Sequence, residues 1–339
     1  EGPLDIDNSL LTDAYNVLSS EKNTMLFIGG DCLDEESVTL AGKIATKTGC
    51  RLATDTFVIR HRRGTGLTKV EPIPYFAEMA EEFLTNTAGV VFIGTSVPVS
   101  FFAYPDKKSY LLPTETKIIN LCSPNQDGHD ALNALSAESG SSSINQDLIQ
   151  SSIIDIPTSG ILDTSSFGPL LAGLMPENAI VSDESATSSL FVTSHTLSAK
   201  PHDWLALTGG SIGQGLPLAV GAAIAKPDRP VITLHGDGGA MYTIQALRTQ
   251  ARENLNITNI IFANNSYEIL KIELDRVGAV QTGERAESML SLENPKINWP
   301  QLSKSMGVPS YAPTSIEEFT KIFTQCIKES GPSLIVVSL

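Results

Sequence analysis

The feature that most constrains this chain is a β-branched apolar run, Val231-Ile232-Thr233-Leu234, that breaks into His235-Gly236-Asp237-Gly238-Gly239-Ala240. An amphipathic stretch and a second apolar run, Asn259–Ala263, follow it. A run without polar alternation reads as an interior parallel strand, covered on both faces. Gly236 makes a sharp exit, and Ala240–Asn254 predicts a helix with Met241, Ile244, Leu247 and Ala251 on one face. In a right-handed strand–helix–strand unit the carboxyl ends of both strands lie on one edge. Asp237 and Asn264 therefore meet there, although 264 − 237 = 27 positions separate them. Open α/β sheets bind ligands at that edge.

The same alternation runs through the chain. Thr24–Ile28 reads as a strand ending in Gly29-Gly30, and Glu35–Thr48 carries a helical pattern through Val38, Ala41, Ile44 and Ala45. Helix is predicted at Pro74–Leu84, with strands at Gly89–Ile93 and Lys117–Leu121. Beyond these come helix Phe167–Leu174, strand Ala179–Ser182, helix Gly215–Ala225, strand Pro230–Leu234, helix Ile316–Lys328 and strand Ser333–Val337. No fixed-period repeat interrupts the series. At roughly 150 residues per domain, 339 residues make about two domains. The fold class expected is α/β, two doubly wound, mostly parallel-sheet domains in tandem. Ser136–Asn145 is small, polar and Ser/Gly-rich and reads as an interdomain linker. The boundaries expected are 1–140 for a Rossmann-like central domain, 141–158 for the linker and 159–339 for the second domain.

Composition excludes several functions. With 41% hydrophobic and 18% charged residues the chain buries sizeable cores. Its formal net charge of −15 argues against nucleic acid as a partner. The densest basic patch, Arg60-His61-Arg62-Arg63, is short and reads as a solvated loop. Cys32, Cys50, Cys122 and Cys326 form no CxxC and read as buried thiols of a reducing, cytoplasmic compartment. No apolar run approaches the ~18 residues of a membrane span, and no signal peptide is visible. The first residue is Glu1 rather than Met, which suggests a fragment or a processed product.

The residue types at the Asp237 edge suit a magnesium-bound diphosphate. Magnesium takes near-octahedral oxygen ligands, shared between one or two protein groups and phosphates. Asp237 brings charge, an Asn brings a neutral oxygen, and a loop carbonyl completes the protein's share. Gly238 and Gly239 open backbone N–H groups to phosphate at a helix start. A lone GDG is an ordinary strand-to-helix turn; the whole unit closed by Asn264-Asn265 is far more demanding.

That unit resembles the binding motif of thiamine-diphosphate enzymes. Leu207-Thr208-Gly209-Gly210-Ser211-Ile212-Gly213-Gln214-Gly215-Leu216-Pro217 is similar to the family stretch that cradles the aminopyrimidine. The resemblance implies that the Gly210 carbonyl receives the cofactor's 4′-amino group and that Ile212 is the apolar wedge that bends the cofactor. Asp183-Glu184-Ser185-Ala186-Thr187 resembles the loop that helps hold the diphosphate, with the Ala186 N–H and Thr187 hydroxyl as donors. In the family the second Asn of the pair ligates the metal, which points to Asn265. Ser266-Tyr267-Glu268-Ile269-Leu270 aligns better with Asn264 in that place, so Asn264 is the expected ligand, with the Ser266 carbonyl as third. The matched segment runs on to Tyr267, which the resemblance adds to the cofactor contacts.

The first half resembles the middle domain of the same family, in the branch of acetolactate synthase large subunits and benzoylformate decarboxylases. Phe101-Phe102-Ala103-Tyr104-Pro105 and Pro72-Ile73-Pro74-Tyr75-Phe76 carry that likeness. The middle domain of acetolactate synthases helps bind FAD, which stays open here but unsupported, because Gly29-Gly30-Asp31 shows no GxGxxG and reads as a plain strand-to-helix turn. Family members also carry an amino-terminal pyrimidine-binding domain whose Glu activates the cofactor, and nothing here matches it. The catalytic acid is thus expected outside this chain; Ile244 is apolar, and Glu253 and Glu184 read as solvated. The long Glu268–Asn298 segment resembles the region that closes over substrate in the family, or is a solvated loop and helix. Where the synthases have Gln-Gly-Met-Val-like residues this chain has Tyr267-Glu268-Ile269-Leu270, which leans towards a decarboxylase. His202 and His235 are the histidines nearest the motifs, and His235, before Gly236 at a strand end, reads as structural rather than as a proton carrier.

The resemblance thus implies decarboxylation or carboligation of a small 2-oxo acid, dependent on thiamine diphosphate and Mg²⁺. It also implies a homodimer or homotetramer. The alternatives are a non-catalytic cofactor-binding subunit or relic needing a separate pyrimidine-domain chain, a hydrolytic or ligase-type use of the cofactor, and a nicotinamide oxidoreductase, which lacks its fingerprint here.

Overall fold

The computed structural model describes residues 7–20, 22–152, 155–279 and 283–339. Two units divide the chain, Glu1–Ser151 and Ser152–Leu339. The change of unit falls inside the 141–158 stretch, whose residues 153–154 lie outside the description.

The first unit holds strands β1 (Thr24–Ile28), β2 (Arg51–Thr54), β3 (His61–Arg63), β4 (Glu71–Pro72), β5 (Gly89–Ile93) and β6 (Lys117–Cys122). Its helices are α1 (Leu11–Ser20), α2 (Glu35–Thr48), α3 (Ala77–Leu84) and α4 (Gly128–Ser139). Five strands pair in parallel in the order β4-β2-β1-β5-β6. The unbroken apolar run of β1 has a direct cause in the layers around it. Leu26 and Ile28 face one way, onto Val38, Ala41 and Ile44 of α2 and Leu132 and Leu135 of α4. Met25 and Phe27 face the other way, onto Ala80 and Leu84 of α3. Asp34 caps α2 by accepting the Ser37 N–H at 2.7 Å, and Gly49, at φ 76°, ends it.

Two expectations fail in this unit. Ser136–Ser139 is the last turn of α4 rather than linker, with Ser136 and Ser139 buried. The basic patch is not a solvated loop either: His61 and Arg63 lie on β3 and are buried.

The second unit holds β7 (Ile180–Glu184), β8 (His202–Leu205), β9 (Val231–Gly236), β10 (Ile257–Ala263), β11 (Ser310–Tyr311) and β12 (Ser333–Ser338). Its helices are α5 (Thr164–Leu174), α6 (Ser189–Thr196), α7 (Gly215–Ala225), α8 (Asp237–Ala240) and α9 (Ala246–Arg252), then α10 (Glu268–Arg276), α11 (Glu284–Leu290), α12 (Trp299–Ser305) and α13 (Ile316–Lys328). Within the unit the strands run β11-β12-β10-β9-β7-β8, all parallel. Ile261 and Ala263 of β10 pack with Leu216 of α7 and Leu247 of α9. Phe262 turns to the opposite face, where its ring meets Phe167 of α5, which in turn meets Phe319 of α13. A buried amide pair pins the centre of the sheet. Asn259 donates to Gln250 Oε1 at 2.8 Å and to the Ser333 carbonyl at 2.9 Å, and Gln250 donates back at 3.1 Å.

The helix expected over Ala240–Asn254 is broken into α8 and α9 by a turn at 241–245. Met241 therefore leaves the predicted face and is 41% exposed. The turn is held elsewhere: the Thr243 hydroxyl donates to the Gly213 carbonyl, and Tyr242 packs on Gly213. Among the described residues no helix is long and apolar enough to cross a membrane.

Candidate functional site

Parallel pairing of β9 with β10 sets Phe262 opposite Gly236, so the residues just past both strands share one edge. Asp237 stands there, 2% exposed. Its Oδ1 accepts the Gly238 N–H at 2.8 Å and its Oδ2 accepts the Asn265 N–H at 2.7 Å. Burial pushes its carboxyl above the usual range, and these backbone N–H groups pull it only partly back. Among the described residues no ion pair involves it. A buried carboxylate without a cation is costly, and a divalent ion at this edge would offset that cost.

The residues after β10 form a tight turn around Asp237. Asn264 Oδ1 accepts the Ser266 N–H at 3.0 Å. Asn265 sits at φ 54°, a left-handed conformation that Asn tolerates better than most residues. That conformation accompanies the donation of the Asn265 backbone N–H, rather than its side chain, to Asp237. Asn264 and Ser266 thus share one turn beside the carboxylate. The Tyr267 ring covers Gly238, where an added Cβ would stand 2.6 Å from it. At Gly239 an added Cβ would stand 2.8 Å from Glu184 Oε1. At both positions a larger residue would have to displace the neighbouring side chain.

The loop from Leu207 to Gly215 carries three left-handed glycines, Gly209 at φ 64°, Gly210 at φ 64° and Gly213 at φ 98°. The Gly210 carbonyl accepts the Ile212 N–H at 2.9 Å, a narrow turn that leaves Ile212 half-exposed. At the end of β7 the Ser185 N–H and hydroxyl both donate to Asp183. Ala186, at φ 50°, then opens a single 3-10 turn, Ala186–Ser188, that contains Thr187. Glu184 pairs in register with His235 of β9, so this turn lies beside the Asp237 edge.

Glu184 is the largest correction to the sequence reading. It is buried, not solvated: 3% exposed, accepting the Gly213 N–H at 2.5 Å, the Gly215 N–H at 2.7 Å and facing His235 Nε2 at 3.1 Å. Burial alone would raise its carboxyl, but the His235 partner and the two amides outweigh burial and hold it below the usual carboxylate range. His235 is fully buried, with Nδ1 3.2 Å from the Gly236 carbonyl. Parallel register could have exposed this pair in the sequence, since each residue stands next to the loop that leaves its strand.

Other candidates stand apart. Ile244 is core, and Glu253 ends α9 in an exposed pair with Arg252. His202 lies on β8, its Nδ1 2.8 Å from the Lys200 carbonyl. In the first unit the residues do not suit the diphosphate of FAD. At the β1–α2 turn, where this bears on a diphosphate, Asp34, Glu35 and Glu36 crowd the start of α2, and a Cβ on Gly29 would stand 2.7 Å from Thr95 Cβ. The Glu268–Asn298 segment forms α10 and α11, neither with a buried residue.

Comparison with known proteins fits this geometry. Residues 185–337 match the family described as thiamine pyrophosphate enzyme, C-terminal TPP binding domain, and that part of the chain is a domain of the thiamine-diphosphate enzymes. A more particular relative is IlvX of Mycobacterium tuberculosis, whose name places it provisionally among acetolactate synthase large subunits; it is 42% identical over 322 residues, covering 95% of this chain and 62% of IlvX. Among solved structures, the thiamine diphosphate-dependent 4-hydroxybenzoylformate decarboxylase of Rhodococcus jostii RHA1 superposes on 100% of the chain and 65% of its own, with a TM-score of 0.75 at 22% identity. Benzoylformate decarboxylase from Polynucleobacter necessarius superposes on 99% of the chain and 65% of its own, with a TM-score of 0.77 at 19% identity. These two likenesses establish the α/β fold. The chain spans less than two thirds of the length of each of these proteins.

Proposed function

We propose that this chain anchors thiamine diphosphate through Mg²⁺ and serves the decarboxylation or carboligation of a small 2-oxo acid. The observation that carries this reading is Asp237, a carboxylate buried at the sheet's carboxyl edge with no cationic partner among the described residues. Asp237, the Asn264 side chain and the Ser266 carbonyl would hold the metal. Gly239, with the Ala186 N–H and the Thr187 hydroxyl, would hold diphosphate oxygens; the Gly238 N–H, expected to join them, is instead given to Asp237 Oδ1. Gly210 would accept the 4′-amino group, Ile212 would support the bend, and Tyr267 would wall the cradle over Gly238. When bound, the cofactor supplies the carbon nucleophile and electron sink that a 2-oxo acid needs to lose CO₂.

The chain's own residues anchor and orient. Glu184 is turned onto the Gly213 and Gly215 amides, so it does not reach a pyrimidine nitrogen. The activating acid accordingly belongs to a pyrimidine-binding segment elsewhere or on a partner subunit, in a dimer or tetramer. Calorimetric titration with thiamine diphosphate and Mg²⁺ tests the reading. Binding that requires both is expected; no binding, even with a pyrimidine-binding domain supplied, would sink it.

A further inference from the structure

We infer that Glu184 is a positioning residue: its carboxylate fixes the Gly213–Gly215 backbone, and with it Ile212 and Gly210, against the loop that carries Asp237. The inference rests on the thiamine-diphosphate reading above and assigns a role that the metal and cofactor contacts leave open.

Three stretches meet on this one side chain. Glu184 itself ends β7, one residue short of the Ala186–Ser188 turn. Its two oxygens take the N–H groups of Gly213 and Gly215. Its neighbour His235, which stands 3.1 Å from Oε2, leads through Gly236 into Asp237. The packing is close on every side. A Cβ on Gly239 would lie 2.8 Å from Glu184 Oε1, and a Cβ on Gly215 would lie 3.0 Å from both Glu184 Cβ and the His235 ring. The glycines that leave the cofactor loops bare are therefore glycines partly because Glu184 and His235 occupy the space beneath them.

The loop needs such a restraint. Three left-handed glycines within five residues give it unusual backbone freedom, and the Ile212 side chain is half-exposed. What aims Ile212 is its backbone. The N–H of the Ile212–Gly213 peptide is held by Glu184, and the carbonyl of the next peptide is held by the Thr243 hydroxyl. A buried carboxylate is an expensive way to fill space. Unlike an apolar side chain, it offers two acceptors to two amides, and hydrogen bonds to an ionised acceptor are roughly twice as strong as neutral ones.

The test is Glu184→Gln in the full chain, titrated by calorimetry with thiamine diphosphate and, separately, with inorganic pyrophosphate, each with Mg²⁺. The amide keeps the shape but offers one acceptor where two are needed. Thiamine-diphosphate affinity is expected to fall about 10- to 100-fold, the range for losing a hydrogen bond to a charged group. Pyrophosphate affinity, which does not read the Gly210–Gly213 loop, is expected to change less than about threefold on the same scale. Hydrogen exchange at the Gly213 and Gly215 amides should speed up in the variant before amides of the sheet do. Unchanged thiamine-diphosphate affinity, or a parallel loss of both ligands, would overturn the inference. A wild-type chain that binds pyrophosphate but not thiamine diphosphate, even with a pyrimidine-binding domain supplied, would overturn the cofactor reading and this inference together, a result distinct from the other two. Should Glu184→Gln not fold, His235→Gln, which leaves the carboxylate but loosens it from β9, is expected to shift the same ratio in the same direction by a smaller factor.

Discussion

The two sheets of this chain end their central strands in similar glycine-rich turns, yet only one of those turns runs straight into a helix with a buried carboxylate at its start. In the first unit β1 exits into Gly29-Gly30-Asp31, and the turn closes on itself. The Gly29 N–H donates to the Ile93 carbonyl, the Cys32 N–H returns to the Gly29 carbonyl, and Thr95 fills the space over Gly29. Helix α2 begins only at Glu35, with acids at its cap and first two positions. In the second unit β9 passes at Gly236 straight into α8, so the glycines are the first turn of the helix. The one acid there is buried and turned towards the neighbouring strand's loop. A glycine-rich exit therefore says little until two further things are known: how soon the helix starts, and where the nearest carboxylate points.

Substitutions at matched positions sharpen this contrast. Asp237→Ala is expected to have the largest effect, abolishing magnesium-dependent thiamine-diphosphate binding in calorimetry; unchanged affinity would show that the metal assignment is wrong. Gly239→Ala sets a methyl 2.8 Å from Glu184 Oε1. It should weaken thiamine-diphosphate binding by about 10-fold or more, the equivalent of ~1.4 kcal/mol. Gly29→Ala meets an equally tight contact with Thr95 and should cost about 1–3 kcal/mol of stability, as overpacking does, with cofactor affinity untouched. Were Gly29→Ala to lower that affinity as far as Gly239→Ala does, the contrast between the edges would collapse. The asparagines separate next. Asn264→Ala should weaken Mg²⁺ binding, whereas Asn265→Ala keeps the backbone N–H that serves Asp237 and should cost mainly ~1 kcal/mol of left-handed strain in a melting experiment.

Much of this was legible because β1, β9 and β10 are buried on both faces, and two-sided burial writes an unbroken apolar run into the sequence. Helices α2, α7 and α13 were legible end to end for a similar reason, with periodic faces or sharp flanking turns. β8 was not, since His202-Asp203-Trp204-Leu205 buries polar side chains whose partners lie outside the strand, Asp203 pairing with the distant Arg229 at 2.6 Å. The single helix expected after the GDG also failed. Nothing in Met241–Gln245 announces that Thr243 will reach a carbonyl 30 positions away. Glu184 failed in the same manner: an acid among Asp, Ser and Thr looks solvated until the strand register places a histidine and two glycine amides around it. Local pattern determines elements well, but it does not reveal which polar group is satisfied from a distant loop.

The smallest expected effect is in pH dependence, where the two buried acids of this edge pull in opposite directions. Glu184 titrates below its ordinary 4.5 in the folded chain. The stability it contributes is therefore complete above that value and is lost as pH falls through the depressed one. Asp237 titrates above its ordinary 3.8. The metal-free fold therefore gains from its protonation below that raised value and loses the gain as pH rises through it. Metal-free Asp237→Asn should then melt higher than the wild type near neutral pH, and Glu184→Gln lower, with both differences shrinking in acid. Adding Mg²⁺ with pyrophosphate should erase the advantage of Asp237→Asn, because only the wild-type carboxylate gains a cation. A wild type that melts higher than Asp237→Asn without metal would mean that this carboxylate is already compensated inside the fold, and that the open edge differs from the closed one by less than its geometry suggests.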